Sequence, residues 1–129
     1  MPTVNCIRMK APVDYTAMLK QQRAVHGAVA SGDMPSTLFL LEHTPTITLG
    51  RNALSEHVLC DSKGLAQAGM KLITTDRGGD VTYHGPGQLV AYPIVDLQRL
   101  ELRVHAYVRA LEEAVIQALD VASIYDVPL

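Results

Sequence analysis

Residues 77–97 read RGGDVTYHGPGQLVAYPIVDL. Four of the chain's nine glycines fall between Gly78 and Gly87, with Pro86 and Pro93 in the same stretch. Glycine loses more backbone freedom on folding than any other residue, so this density needs a structural or functional reason. Two strand-like pieces, 80–83 and 88–92, flank a His84-Gly85-Pro86-Gly87 turn, and residues 94–97 extend the second piece past Pro93. A hairpin turn accounts for Gly85-Pro86-Gly87. It does not readily account for Arg77-Gly78-Gly79, where two glycines allow positive φ or close approach to a ligand and Arg77 offers a bidentate donor. Two readings stay open from the residues alone: a ligand-contacting loop, or a pair of structural turns.

Working upstream, residues 71–75 read as a strand and 62–68 as a short helix within a polar stretch, 52–70, broken by Gly64 and Gly69. Residues 46–49 (TITL) are strand-like and end at Gly50; His43-Thr44-Pro45 separates them from TLFLLE at 37–42. That run is continuously apolar, the pattern of a strand covered on both faces. Asp14 is placed to N-cap a helix whose Tyr15, Met18, Leu19, Val25 and Val29 form one stripe, with Lys20 to Arg23 opposite. Ser31-Gly32 and Pro35 stop it. Residues 3–9 complete the N-terminal side as a short strand.

Downstream, Val104, Tyr107, Val108, Leu111, Val115 and Leu119 follow helical spacing, with Glu112 and Glu113 off the stripe. Both helical stripes are expected to be core. Strands and helices mix without strict βαβ alternation, and there is no repeat, low-complexity segment or linker. The fold class expected is α/β (α+β): a mixed sheet with flanking helices.

The chain of 129 residues is sized for one domain. It is 48% hydrophobic and 19% charged, which argues against disorder. There is no Trp and a single Phe, Phe39, so aliphatic residues and Met must build the core. A net charge of −2 without a Lys/Arg block argues against a broad nucleic-acid footprint. Two cysteines, Cys6 and Cys60, make neither a CxxC pair nor a disulfide scaffold, and point to a reducing compartment. No apolar run nears the roughly 20 residues of a membrane span, and MPTVNCIRMK lacks the apolar core of a secretory signal. The expectation is a soluble, cytoplasmic protein with neither nucleic acid nor membrane as partner.

Several chemistries find no support. No G-x-x-x-x-G-K-[ST] and no G-x-G-x-x-G occurs, so nucleotide binding gains nothing from a glycine signature. His26, His43, His57, His84 and His105 show no metal-ligand spacing, and no G-x-S-x-G supports a serine triad. Cys60, in HVLCDSKG near His57 and Lys63, is read first as a residue of a polar connection, although those neighbours are of the kind that activates a thiol. Cys6 is read as a small strand hydrophobe.

Residues 77–97 resemble the signature of the octanoyltransferases of lipoate biosynthesis. LFLLEHTPTITLGRNA at 38–53 resembles a second landmark of that family, an LLEH-x-P strand followed by a Gly-Arg loop. Asp14-Tyr15 with the following helix and the Leu111-Glu112-Glu113 helix fit the same pattern, so the likeness runs nearly to Leu119. The resemblance implies a biotin/lipoate protein ligase-like catalytic domain. It implies two acyl transfers through an enzyme thioester: a cysteine thiolate takes octanoyl from octanoyl-acyl carrier protein, and a lysine of an acceptor then attacks it. The acceptors implied are the lipoyl domains of 2-oxo acid dehydrogenases and the glycine-cleavage H protein. No cofactor, metal or ATP is implied, because a thioester is already activated.

By the same resemblance Arg77, Gly78, Gly79, Asp80, Val81, Thr82, Tyr83 and His84 form the substrate-binding strand and loop. Gly78 and Gly79 would allow close approach to the acyl chain and its carbonyl, Tyr83 and His84 would shape the pocket wall, and His43 would lie beside it. The family's catalytic lysine and cysteine follow this segment, in K-[IL]-[AG]-[AS]-[IL]-G and P-C-G-[IL] contexts. Here the last lysine is Lys71 and the last cysteine Cys60, both before Arg77. The resemblance therefore puts the family's cysteine and lysine beyond Leu129, and no catalytic residue is expected within the chain. From Ser123 onward, SIYDVPL does not continue the pattern. The expectation is a single domain over residues 1–129 that is truncated at its C-terminus before the dyad, with little or no catalysis by the chain alone. A non-catalytic fragment that binds acyl or lipoyl-lysine groups is the alternative; a lipoate- or biotin-ligase-like protein ranks below it.

Overall fold

A computed structural model describes residues 2–122. The change in sequence pattern from Ser123 to Leu129 lies outside the described residues, and so does the expectation that the chain is cut short at Leu129. The described residues divide into two compact units, Thr3–Val95 and a second made of residue 2 with residues 96–122.

The first unit holds six strands and two helices: β1 (Val4–Arg8), α1 (Tyr15–Ala30), β2 (Ser36–Leu41), β3 (Thr46–Leu49), α2 (Ser62–Gln67), β4 (Lys71–Thr74), β5 (Val81–His84) and β6 (Val90–Ile94). They build two three-stranded sheets, β1-β2-β6 and β4-β3-β5. In each, one neighbour of the central strand is parallel and the other antiparallel. The parallel pairs are β1-α1-β2 and β3-α2-β4. Each is thus a βαβ unit completed by one antiparallel strand, more regular than the sequence pattern indicates.

β5 and β6 do not form the expected hairpin. β5 pairs with β3 and β6 with β2, so His84-Gly85-Pro86-Gly87 carries the chain from one sheet to the other. Gly87 takes φ +90, a conformation that favours glycine. Pro93 lies within β6, where it is tolerated because β6 is an edge strand. β6 ends at Ile94 rather than running to Leu97. The Asp96 carboxylate accepts from the backbone N–H groups of Gln98 and Arg99, and that local turn competes with strand.

α1 begins as the residues dictate: the Asp14 carboxylate accepts from Ala17 N at 3.0 Å. It ends at Ser31, with Gly32 at φ +82. Its stripe lies on β2, where Met18, Phe39 and Leu41 form the buried centre, with Ile7, Met9, Val25, Val90, Tyr92 and Ile94 packed around it. β2 is buried on one face and half-buried on the other, not fully covered on both. Gly27 in α1 has open space where a Cβ would stand. Gly27→Ala is therefore expected to raise stability by about 0.5–1 kcal/mol, the ordinary Gly–Ala difference in a helix, as read from thermal unfolding.

The second unit carries α3 (Val104–Val121). Its apolar stripe is not core, contrary to expectation: Val104, Val108, Leu111, Val115 and Leu119 are 39–66% exposed. A helical stripe is buried only where another element faces it, and the described residues of this unit supply a turn and no second helix or strand. No helix among the described residues is long and apolar enough to cross a membrane.

Candidate functional site

The residues 77–84 divide into two groups at opposite ends of β5. Four residue steps along the strand, from Asp80 to His84, separate them by about 13 Å at strand rise. Arg77, Gly78, Gly79 and Asp80 make a loop at one end; His84 enters an aromatic cluster at the other.

The loop is closed against residues 50–52. Gly50 N donates to Asp80 O (2.7 Å), Arg51 N to Arg77 O (3.0 Å) and Asn52 N to Gly79 O (3.0 Å). A Cβ on Gly50 would lie 2.3 Å from Gly79 O, so the two backbones meet where only glycine fits. Gly79 has φ +91. Gly78 has open surroundings: the nearest atom to a Cβ there is Arg51 Nη2 at 4.0 Å. Of the two glycines, Gly79 is the one the backbone requires.

Arg77 is turned into the chain. Its Nη2 donates to Thr48 O (3.0 Å), Thr48 Oγ1 (2.9 Å) and Asp80 O (3.1 Å), and Nη1 donates to Gly78 O (2.8 Å). Most of the guanidinium's donors thus hold the loop's shape. The Asp80 carboxylate is engaged too, with Leu54 N at 3.2 Å and in close contact with His57 Nδ1. His57 is thereby directed to Asp80. Cys60 stands exposed on the connecting segment, beside Gly64 and the α2 cap Asp61.

Along β5 the side chains alternate. Val81 and Tyr83 share a face with Leu49 and Ile47 of β3; Thr82 and His84 share the other with the fully buried Thr48 and Thr46. Thr82 is exposed, and Tyr83 is 48% exposed with its ring over Gly85. A Cβ on Gly85 would meet the Tyr83 hydroxyl at 2.1 Å, so Gly85 is what lets that ring lie down.

At the far end, Tyr15, His43, His84 and Tyr92 bring four segments together. Ring centroids are 5.1 Å apart for Tyr15–His43, 5.7 Å for Tyr15–His84 and for His43–His84, and 5.8 Å for His43–Tyr92. His43 is fully buried. Its Nδ1 lies 2.9 Å from Val13 O and its Nε2 2.7 Å from the Tyr92 hydroxyl. A carbonyl only accepts, so Nδ1 carries the proton and Nε2 accepts from Tyr92. Burial, with a smaller repulsion from His84, holds the His43 pKa below the ordinary histidine value, so the imidazole is neutral at pH 7. Burial likewise pushes the Tyr92 hydroxyl up to about 12, against a hydrogen bond from Gln22 that pulls the other way. His84 Nδ1 donates to Gln88 Oε1 at 3.1 Å, and Gln88 Nε2 reaches back to Tyr83 O at 3.2 Å.

Asp14 at the start of α1 makes a close ion pair with Lys71 of β4, and that contact, with the cap bond from Ala17, holds its carboxyl below the usual range. The site therefore joins residues expected from sequence, His43 and His84, to residues whose sequence signal is a different one. Tyr15 reads as part of a packing stripe and Tyr92 as a strand residue. Gly50 reads as a strand end; the signal for its role is the Gly-Arg pair directly after TITL. The family's cysteine and lysine, expected beyond Leu129, are not among the described residues.

The family model of the lipoyl protein ligase A/B catalytic domain matches residues 14–125. The chain belongs to that family. Among its relatives, an octanoyltransferase of Chloroflexus aggregans is 50% identical over 107 residues, 83% of this chain and 48% of that protein. One from Solibacter usitatus is 47% identical over 114 residues, 88% of this chain and 52% of that protein. This lipoyl-ligase-family chain thus spans about half the length of the curated relatives it matches. P. falciparum LipL1, solved in complex with lipoate, superposes on 70% of this chain and 29% of its own, with TM-score 0.47 and 17% identity. The mixed α/β architecture fits the catalytic domain named by the family model.

Proposed function

We propose that this chain is the acyl-binding portion of an octanoyltransferase of lipoate biosynthesis, acting in the cytoplasm. The reaction is transfer of octanoyl from octanoyl-acyl carrier protein to a lysine of a lipoyl domain, in 2-oxo acid dehydrogenases and the glycine-cleavage H protein. The observation that carries the reading is the 50% identity to an octanoyltransferase over 83% of the chain. Within residues 77–84, Gly78 would be the open approach to the acyl site, Gly79 and Arg77 would hold the loop and His84 would be the wall, whereas Tyr83, expected beside it, lies on the opposite face of β5. The neutral His43 would position His84 and Tyr15 through ring contact.

Between Arg77 and Leu129 there is neither lysine nor cysteine. Thioester chemistry needs a thiolate nucleophile, and Cys6 and Cys60 both precede Arg77, so the role proposed for residues 77–84 is binding and orientation rather than the transfer itself.

The test has two parts. Incubated with octanoyl-acyl carrier protein and an apo lipoyl domain, the chain is expected to give no octanoylated product. Turnover that survives Cys6→Ser together with Cys60→Ser would overturn the account of the missing nucleophile. Titrated calorimetrically, octanoyl-acyl carrier protein is expected to bind, and Gly79→Val to weaken binding about tenfold, because a branched residue at positive φ distorts the loop. Absence of any binding would sink the acyl-site reading.

A further inference from the structure

The ring of His84 is held by three neighbours, all within Thr3–Val95. It stacks on Tyr15 at 24°, with centroids 5.7 Å apart, and His43 meets it edge-on at 67°. Both nitrogens of His43 are already engaged, with Val13 O and with the Tyr92 hydroxyl, so His43 meets His84 through its ring alone. The third neighbour is Gln88. Its backbone N donates to Gly85 O at 3.1 Å and its side-chain Nε2 to Tyr83 O at 3.2 Å. A carbonyl only accepts, so the amide is fixed with Nε2 toward Tyr83 O and Oε1 toward His84 Nδ1, 3.1 Å away. Oε1 also only accepts, so Nδ1 carries the proton. In the neutral imidazole the other nitrogen, Nε2, then bears the lone pair, and among the described residues it has no hydrogen-bond partner.

The hydrogen bond made by one ring nitrogen decides what the other can do. With its proton fixed on Nδ1, His84 presents Nε2 as an acceptor. An acyl thioester has nothing to give it: the carbonyl oxygen is itself an acceptor, and the alkyl chain has no polar hydrogen. The lysine side of the transfer does, since the amine that attacks and the amide that forms both carry N–H. We infer that Gln88 is a positioning residue that holds His84 in the Nδ1–H form, and that His84 Nε2 accepts a hydrogen bond from the side-chain nitrogen of the acceptor lysine, as amine and as octanoyl amide. This rests on the octanoyltransferase reading and deepens it. The wall residue His84 is matched to the nitrogen of the acceptor and not to the carbonyl of the donor, and the residue that sets this choice lies four positions further along the chain, beyond the Gly85-Pro86-Gly87 turn.

The experiment reads the tautomer and the ligand preference of this chain. Long-range proton–nitrogen correlation spectra at mildly alkaline pH, with the His84 signals assigned by comparison with His84→Phe, are expected to show a protonated Nδ1 and an unprotonated Nε2. In Gln88→Met, which keeps the side-chain length but offers no carbonyl, the two tautomers are expected to mix; an unchanged tautomer there would overturn the role of Gln88. Binding is measured with N-methyloctanamide, which has an N–H, and N,N-dimethyloctanamide, which has none. The chain is expected to bind the first about tenfold more tightly, with a shift of the His84 Nε2 signal for that probe alone, and Gln88→Met to lose most of the preference. The unsubstituted chain by itself suffices to overturn the inference: a proton on Nε2, or equal affinity for the two probes, would do so. Octanoyl-acyl carrier protein binding without the preference would leave the acyl-site reading standing and this inference fallen. The preference without octanoyl-acyl carrier protein binding would keep His84 as the acceptor of an amide N–H and remove the transferase reading.

Discussion

Gly50→Ala is expected to lower the melting temperature by about 10 °C, more than Gly78→Ala or Gly27→Ala would change it. The added Cβ would stand 2.3 Å from Gly79 O and 2.8 Å from Arg77 Nη1. The first of these is a backbone atom that no rotamer change can move. Relief requires separating 50–52 from 77–80, which breaks the three backbone hydrogen bonds between them. At about 1 kcal/mol each the loss is about 3 kcal/mol. The control is Gly78→Ala, whose Cβ meets nothing nearer than 4.0 Å and which is expected to change the melting temperature little. Differential scanning calorimetry of the two variants decides the matter. Equal melting temperatures would mean that the loop closure does not contribute to stability. Because Gly79 belongs to the same closure, Gly50→Ala is expected to weaken octanoyl-acyl carrier protein binding as well.

His43→Leu is expected to cost about 2 kcal/mol at pH 7, since it takes one of two donors from the Val13 carbonyl, which keeps Thr44 N at 3.1 Å, and leaves the half-buried Tyr92 hydroxyl without its acceptor. The cost should shrink as pH falls. The folded-state pKa of His43 is depressed by burial, with Val13 and Asp14 opposing and His84 assisting. A depressed folded pKa means that stability is fully present above the unfolded value, about 6.5. It is lost as pH drops from there through the folded value, because the unfolded chain takes up the proton first. Wild type carries this loss and His43→Leu does not. Urea midpoints for both proteins at pH 7 and pH 5 should show the gap narrowing; a constant gap would mean that His43 does not titrate differently in the two states.

Much of the local structure is legible in the residues because local physics decides it. Asp14 caps α1 since a carboxylate three residues ahead of Ala17 N satisfies a helix-end donor wherever the chain goes next. The apolar run at β2 and the glycine stop after α1 are equally local. Pairing is not. Residues 81–84 and 90–94 look like the two arms of a hairpin, and the turn between them is short enough to make one. They separate because β3 and β2 offer each arm its own antiparallel partner. The α3 stripe has the spacing of a core helix, but spacing states only that a face is apolar, not that anything covers it.

The site shows the same division. Glycines and an arginine at 77–79 mark a backbone that must bend sharply, and the resemblance of the wider segment to a known signature gives that bend a chemistry. Arg77 cannot be read from sequence as an internal brace, because its partner Thr48 is brought to it by β3–β5 pairing across 29 residues. Nor can the protonated nitrogen of His43 be read there, since Val13 and Tyr92 lie 30 and 49 residues away. The order of residues is enough to place the elements and the caps, to point to the family, and to show that no lysine or cysteine stands between Arg77 and Leu129. It takes the folded chain to decide which strands pair, which glycine the loop requires and which face of β2 is buried, because those depend on contacts between residues far apart in the chain.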